Sequence, residues 1–144
     1  VSDPISNVVI EAHQYFDTDS SGTHYDDASL TTANMADKMQ GFTTWCRQFG
    51  FKGFIGEFGV QATTAGVAKM GQMLDHIVAN KDAYAGWSYW AMGPWGSYPY
   101  SVDSDLGPSV AQEVKLRTYS GQNVSGGAMG TGGPSSGPPP PPPT

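Results

Sequence analysis

Three times within its first 120 residues the chain passes from a short apolar run to a stretch with helical spacing. Residues 7–13 begin with Val8, Val9 and Ile10, a β-branched run suited to a strand buried on both faces. Residues 31–49 place Met35, Met39, Phe42, Trp45, Cys46 and Phe49 at three- and four-residue steps, with Gly50 as the C-terminal cap. Residues 53–57 form a second apolar strand. Residues 64–79 form a second helix, with Val67, Met70, Leu74, Ile77 and Val78 on one face and Asn80 at its end. An aromatic third strand spans 85–90. A last helix is expected over 109–118, where Ser109 and Gln112 have capping-box spacing.

Such alternation dictates parallel strands joined by right-handed crossovers. The expected fold class is therefore α/β. Three units cannot close a barrel, and a whole (β/α)₈ barrel takes ~250 residues. An open three-stranded sheet leaves apolar edges and faces bare. The expectation is that more chain precedes Val1.

The composition breaks near Ser120, and two regions are expected, a catalytic domain over 1–120 and a linker over 121–144. Seven of the eleven prolines follow Gly121, six of them consecutive from Pro138 to Pro143, and Gly and Ser fill most of the rest. The Gly/Ser part reads as flexible coil and the proline run as a polyproline II rod. Neither can bury a core. A linker of this kind joins two modules, so a further module is expected after Thr144. Asn123-Val124-Ser125 is a formal glycosylation sequon.

The net charge is -6, with only seven Lys and Arg, and these are scattered. No basic patch is available to neutralise phosphates or to meet an anionic membrane, so nucleic acid and membrane partners are excluded. A neutral polymer such as a polysaccharide fits this charge. No apolar run approaches the ~20 residues of a membrane helix. Cys46 is the only cysteine, which rules out an internal disulfide, and its place on an apolar helix face makes it a buried thiol.

In parallel α/β folds the chemistry gathers at the carboxyl ends of the strands. Here those ends are His13-Gln14-Tyr15, Glu57, and Tyr89-Trp90 followed by Gly93-Pro94-Trp95. Glu57 is flanked by Gly56 and Gly59, and glycines beside a carboxylate admit close approach of a backbone or a ligand. A Glu so placed can attack an anomeric carbon. On spacing alone, a Glu that salt-bridges at a loop start stands equally open. His13 and Tyr15 share a face if the strand runs through both, and they can then hold a sugar hydroxyl or donate to the carboxylate. A loop histidine and a packing tyrosine are the plainer reading of that pair.

Trp87, Trp90, Trp95, Tyr89, Tyr98 and Tyr100 form a dense aromatic block that suits both core packing and stacking on sugar rings. Trp95 reads as the exposed platform and Trp90 as the floor of the site. The polar stretch His24-Tyr25-Asp26-Asp27 is read as a loop, because no compact ligand set with standard spacing is present, and Asp17 to Thr23 lacks the full calcium-loop pattern. His76 reads as a surface or packing residue.

Three of these motifs carry a family resemblance. Glu11-Ala12-His13-Gln14-Tyr15-Phe16-Asp17 followed by Asp19-Ser20-Ser21-Gly22-Thr23 resembles the sixth-strand region of glycoside hydrolase family 5 endoglucanases. Lys52-Gly53-Phe54-Ile55-Gly56-Glu57-Phe58-Gly59 is similar to that family's seventh-strand nucleophile motif. Trp90-Ala91-Met92-Gly93-Pro94-Trp95-Gly96 is similar to its eighth-strand tryptophan region, above all in the fungal-type subgroup.

The resemblance implies the last three units of a (β/α)₈ TIM barrel, covering strands six to eight. It implies Glu57 as nucleophile, His13 and Tyr15 as its active-site neighbours, and Trp90 under the sugar, with Trp95 kept as a substrate platform. It implies a retaining endo-β-1,4-glucanase that needs no metal or organic cofactor. The implied protein is secreted and monomeric, takes a β-glucan polysaccharide, and carries a carbohydrate-binding module beyond the linker. A family 5 hydrolase acting on mannan or xylan, or a non-catalytic carbohydrate-binding module, are the alternatives. The family's acid/base Glu lies in an Asn-Glu-Pro motif, and no Asn-Glu-Pro occurs in this sequence.

Overall fold

Strand β1 (Val9–His13), helix α1 (Met35–Phe49), strand β2 (Lys52–Glu57), helix α2 (Thr64–Ala79), strand β3 (Tyr84–Trp87) and helix α3 (Ala111–Arg117) follow one another along the chain, with a short 3₁₀ turn at Asp27–Ser29. The structure is a computed structural model, which describes residues 4–5, 7–93, 95, 97–102 and 111–120. The linker expected over 121–144 and the capping residue Ser109 lie outside the described residues. Among the described residues, no helix is long and apolar enough to cross a membrane.

The strands form one parallel sheet in the order β1-β2-β3, as βα alternation requires. Helices α1 and α2 pack on each other and cover one face of the sheet. Between them lies a core of Met35, Met39, Cys46, Met70, Met73, Leu74 and Ile77, joined by Ile55 and Phe58 from the strand side. At about 25 cal/mol per Å² of apolar surface, burying side chains of this size is the main drive for the layer to form.

The uncovered face corrects one expectation. Val9 is 47% exposed, so β1 is not buried on both faces. Its alternation places Val9, Glu11 and His13 on the open side, because helices cover only the other one.

The helix ends follow side-chain chemistry. Helix α1 starts at Met35, four residues later than expected, because Asn34 caps it: its Oδ1 accepts from the Ala36 N–H at 2.8 Å. Thr31 is tied into the preceding loop instead, its N–H donating to the Phe16 carbonyl at 2.8 Å. Gly50 closes α1 in the left-handed conformation, at φ 72°. Helix α2 runs over the residues expected, capped by Thr63 and closed at Asn80.

The face of α1 is narrower than its apolar spacing suggested. Met35, Met39, Thr43 and Cys46 are buried, whereas Trp45 is 38% exposed and stacks on Phe42 and Phe51. His76 is buried rather than superficial, and the Thr43 hydroxyl links it to Tyr84 across the core, 2.8 Å from His76 Nε2 and 2.7 Å from the Tyr84 hydroxyl.

Candidate active site

Both neighbours expected for Glu57 meet it. Strand β1 ends at His13, which pairs with Glu57 after a bulge in β2 that leaves Gly56 unpaired between Ile55 and Glu57. The backbone N–H of Gln14 then donates to the Glu57 carbonyl at 3.1 Å. The bulge shifts β2 by one residue, so that Glu57 rather than Gly56 stands opposite His13, and Tyr15 lies beyond the end of β1. The Tyr15 hydroxyl donates to Glu57 Oε1. His13 Nδ1 stands 3.6 Å from Glu57 Oε2. The Glu57 side chain keeps 27% of its surface exposed, so it is supported yet reachable.

Tyr15 itself is fixed from two sides. Its ring stacks near Tyr100 at 6.0 Å, and Gly22 lies against its other flank so closely that a Cβ there would sit 2.6 Å from the ring. Burial raises the Tyr15 pKa well above the ordinary phenol range, and the bond to Glu57 adds to the effect. The phenol therefore stays protonated and acts as a donor to the carboxylate.

The glycines around Glu57 admit close neighbours, as the motif suggested. A Cβ on Gly56 would lie 1.9 Å from Glu11 Oε1, and one on Gly59 would lie 2.2 Å from the Trp90 carbonyl oxygen. Glycine at 59 thus lets the end of β2 touch the backbone that follows β3. That contact is reinforced where the Trp90 N–H donates to the Phe58 carbonyl at 2.7 Å.

Strand β3 is shorter than expected, ending at Trp87, yet the extension beyond it carries the indoles. Trp90 is 39% exposed and Trp95 51%, with ring centroids 5.5 Å apart and planes tilted by 46°. Both present open aromatic surface. Trp87 packs on Phe58 from the core side. Tyr98, Tyr100 and Tyr25 continue the aromatic shelf through edge-to-face contacts. Tyr25 was read only as part of a polar loop, and nothing in its spacing marked it for the shelf.

That loop is held by Asp17. Its Oδ1 accepts from the Gly22 N–H at 3.0 Å, and its Oδ2 from the Ser21 hydroxyl and the Thr23 N–H at 2.9 and 3.2 Å. Asp17, Asp19 and His24 lie close together, but the two oxygens of Asp17 are already taken by loop donors. The cluster is a clasp for the loop.

One neighbour of the site escaped the sequence reading. Glu11, two residues before His13, places Oε1 2.7 Å from His13 Nε2. The period-two alternation of β1 was the signal that could have found it.

A carboxylate at the carboxyl edge of parallel strands, met by a phenol and an imidazole and overlooked by two open indoles, stands where α/β barrels gather their functional groups. The family model for cellulase, glycosyl hydrolase family 5, matches residues 1–93. The chain belongs to that family.

Endoglucanase gh5-1 of Neurospora crassa is 39% identical over 121 residues, which make up 83% of this chain and 30% of that protein. The endo-beta-1,4-glucanase Xac0029 of Xanthomonas axonopodis pv. citri superposes with a TM-score of 0.72 at 36% identity, over 81% of this chain and 37% of that one. XacCel5A, solved in complex with cellopentaose, gives a TM-score of 0.73 at 36% identity, over 83% of this chain and 38% of that one. The chain therefore spans roughly a third of the length of these relatives, and its three βα units are part of a TIM barrel.

Proposed function

We propose that this chain carries the nucleophile side of a secreted, retaining endo-β-1,4-glucanase acting on cellulose or a related β-glucan. The observation that carries the reading is the convergence of Tyr15 and His13 on Glu57 beside Trp90 and Trp95. Glu57 attacks the anomeric carbon, the glycosidic bond breaks, and a glycosyl ester forms. The Tyr15 hydroxyl holds one carboxylate oxygen and leaves the other free to attack. The two indoles offer flat apolar faces to the sugar rings.

A second carboxylic acid must protonate the leaving oxygen, and then, as a base, activate the water that cleaves the ester. This sequence has no Asn-Glu-Pro motif to supply it. General acid–base help contributes ~10²–10⁴-fold, so the 144-residue chain alone is expected to turn over carboxymethyl-cellulose little or not at all.

A dinitrophenyl fluoro-cellobioside tests the nucleophile without that acid, because dinitrophenolate departs unprotonated. The expected result is a single covalent adduct on Glu57, seen by mass spectrometry and lost in Glu57→Gln. An adduct that survives Glu57→Gln sinks the assignment. Glucan, mannan and xylan offered to the protein joined to an acid/base half would separate the substrate classes.

A further inference from the structure

Glu11 sits where it can decide the proton position on His13. Three observations bear on it. Its Oε1 lies 2.7 Å from His13 Nε2, a normal hydrogen-bond length, while His13 Nδ1 lies 3.6 Å from Glu57 Oε2, too far for one. The carboxylate of Glu11 also occupies the space over Gly56 that any Cβ would fill, so the backbone beside the nucleophile is shaped to receive it. The alternation of β1 puts Glu11 and His13 on the same open face.

A neutral imidazole has one donor and one acceptor nitrogen, and the partner of one nitrogen fixes the role of the other. The short contact is the one placed to take the N–H, which puts the proton on Nε2, on the side of Glu11. Nδ1 then faces Glu57 with a lone pair, and two lone pairs set opposite each other keep the wider gap seen there. A sugar hydroxyl entering beside Glu57 can donate to that nitrogen.

We infer that Glu11 is a positioning residue that holds the proton on His13 Nε2, so that Nδ1 accepts a hydroxyl of the β-glucan beside Glu57. This rests on the glucanase reading for its substrate, though not for its proton. No bond to carbon is made or broken by Glu11. It sets which end of the imidazole gives and which receives.

The test reads the ring nitrogens of His13 by NMR in the 144-residue chain at about pH 8.5, where an ordinary imidazole is neutral. The expected wild-type state is the Nε2–H tautomer. Glu11→Ala should shift the ring toward Nδ1–H, now donated to Glu57, and Glu11→Gln should restore the wild-type form because its amide oxygen still accepts. The Glu11 side chain is 54% exposed, so its removal takes little from the core, and overlay of the amide spectra checks the fold. Cellopentaose binding by titration calorimetry should weaken about tenfold in Glu11→Ala, the scale of one lost hydrogen bond, and recover in Glu11→Gln.

A wild-type ring protonated on Nδ1 or on both nitrogens, or a tautomer indifferent to Glu11→Ala, overturns the inference. So does a tautomer shift that leaves cellopentaose affinity unchanged. The adduct assay separates this from the function: a chain labelled on Glu57 whose ring ignores Glu11 loses only the inference. A ring that follows Glu11 in a chain never labelled on Glu57 loses only the nucleophile.

Discussion

Two glycines with the same backbone angle provide a matched perturbation. Gly22 and Gly50 both have φ 72°, in the left-handed region. A Cβ on Gly50 would meet nothing within 4 Å, whereas one on Gly22 would stand 2.6 Å from the Tyr15 ring. Substituting alanine at either position forces an L-residue into that region, at ~1–2 kcal/mol. At Gly22 the methyl group must also displace a buried ring, and overpacking of this kind costs ~1–3 kcal/mol more. Gly50→Ala should therefore destabilise the chain by ~1–2 kcal/mol and Gly22→Ala by ~2–5 kcal/mol.

Urea unfolding followed by tryptophan fluorescence measures both values. The adduct assay adds a functional arm. Gly22→Ala should push the Tyr15 hydroxyl off Glu57 Oε1 and slow labelling, because the carboxylate loses the donor that orients it. Gly50→Ala, at the far end of α1, should leave the labelling rate unchanged. Equal destabilisation by the two substitutions would refute the claim that Gly22 is kept small for Tyr15.

Thr43→Val strips the hydroxyl that joins His76 and Tyr84 in the core and should cost ~2–4 kcal/mol in the same urea assay. Burial, with Arg47 nearby, lowers the His76 pKa, so the folded state resists protonation. The stability tied to this histidine is then complete above the ordinary value of 6.5 and drains away as the pH falls below it. That slope should disappear in His76→Gln. Asp17 titrates at about 2: burial pushes it up, but the Gly22 N–H, His24 and Ser21 together pull it further down. Its contribution is present above the ordinary 3.8 and is lost as the pH drops through about 2. Asp17→Asn should flatten the acid limb of the unfolding profile and cost ~1.5–3 kcal/mol near neutrality. Trp95→Ala should weaken cellopentaose binding while moving stability by no more than ~0.5 kcal/mol, since the indole is half exposed.

Helix α2 was legible to the residue: Asn80 marks its close in the sequence, and the structure adds Thr63 as the cap at its start. Helix α1 was overextended because its apolar spacing begins at Met35 and does not say where the polar residues before it leave the helix, and only the fold shows the Thr31 N–H committed to Phe16. The third strand was drawn too long for a related reason. Ser88 and Trp90 still donate to β2-side carbonyls, at Ile55 and Phe58, yet the chain beyond Trp87 has left the strand. Aromatic composition cannot separate a strand from its ribbon-like continuation.

The meeting of Glu57, His13 and Tyr15 was legible from their positions at strand ends. The means was not, since a bulge at Gly56 in β2 is what sets Glu57 opposite His13. Trp45 was assigned inward because spacing alone does not say how wide a helix face the neighbouring elements cover. Tyr25 and Glu11 went unassigned as site neighbours because each sits next to a louder motif.

The missing side chain at Gly59 bears on how the protein can be remodelled. With the Trp90 carbonyl seated against it, the spacing between the end of β2 and the backbone of Trp90 is set main chain to main chain, with no side chain interposed. Loops that flank Glu57 can be lengthened, shortened or recharged without retuning that gap. A library that spares positions 56 and 59 would explore new specificities on a fixed anvil, whereas one that varies them would mostly sample broken tools.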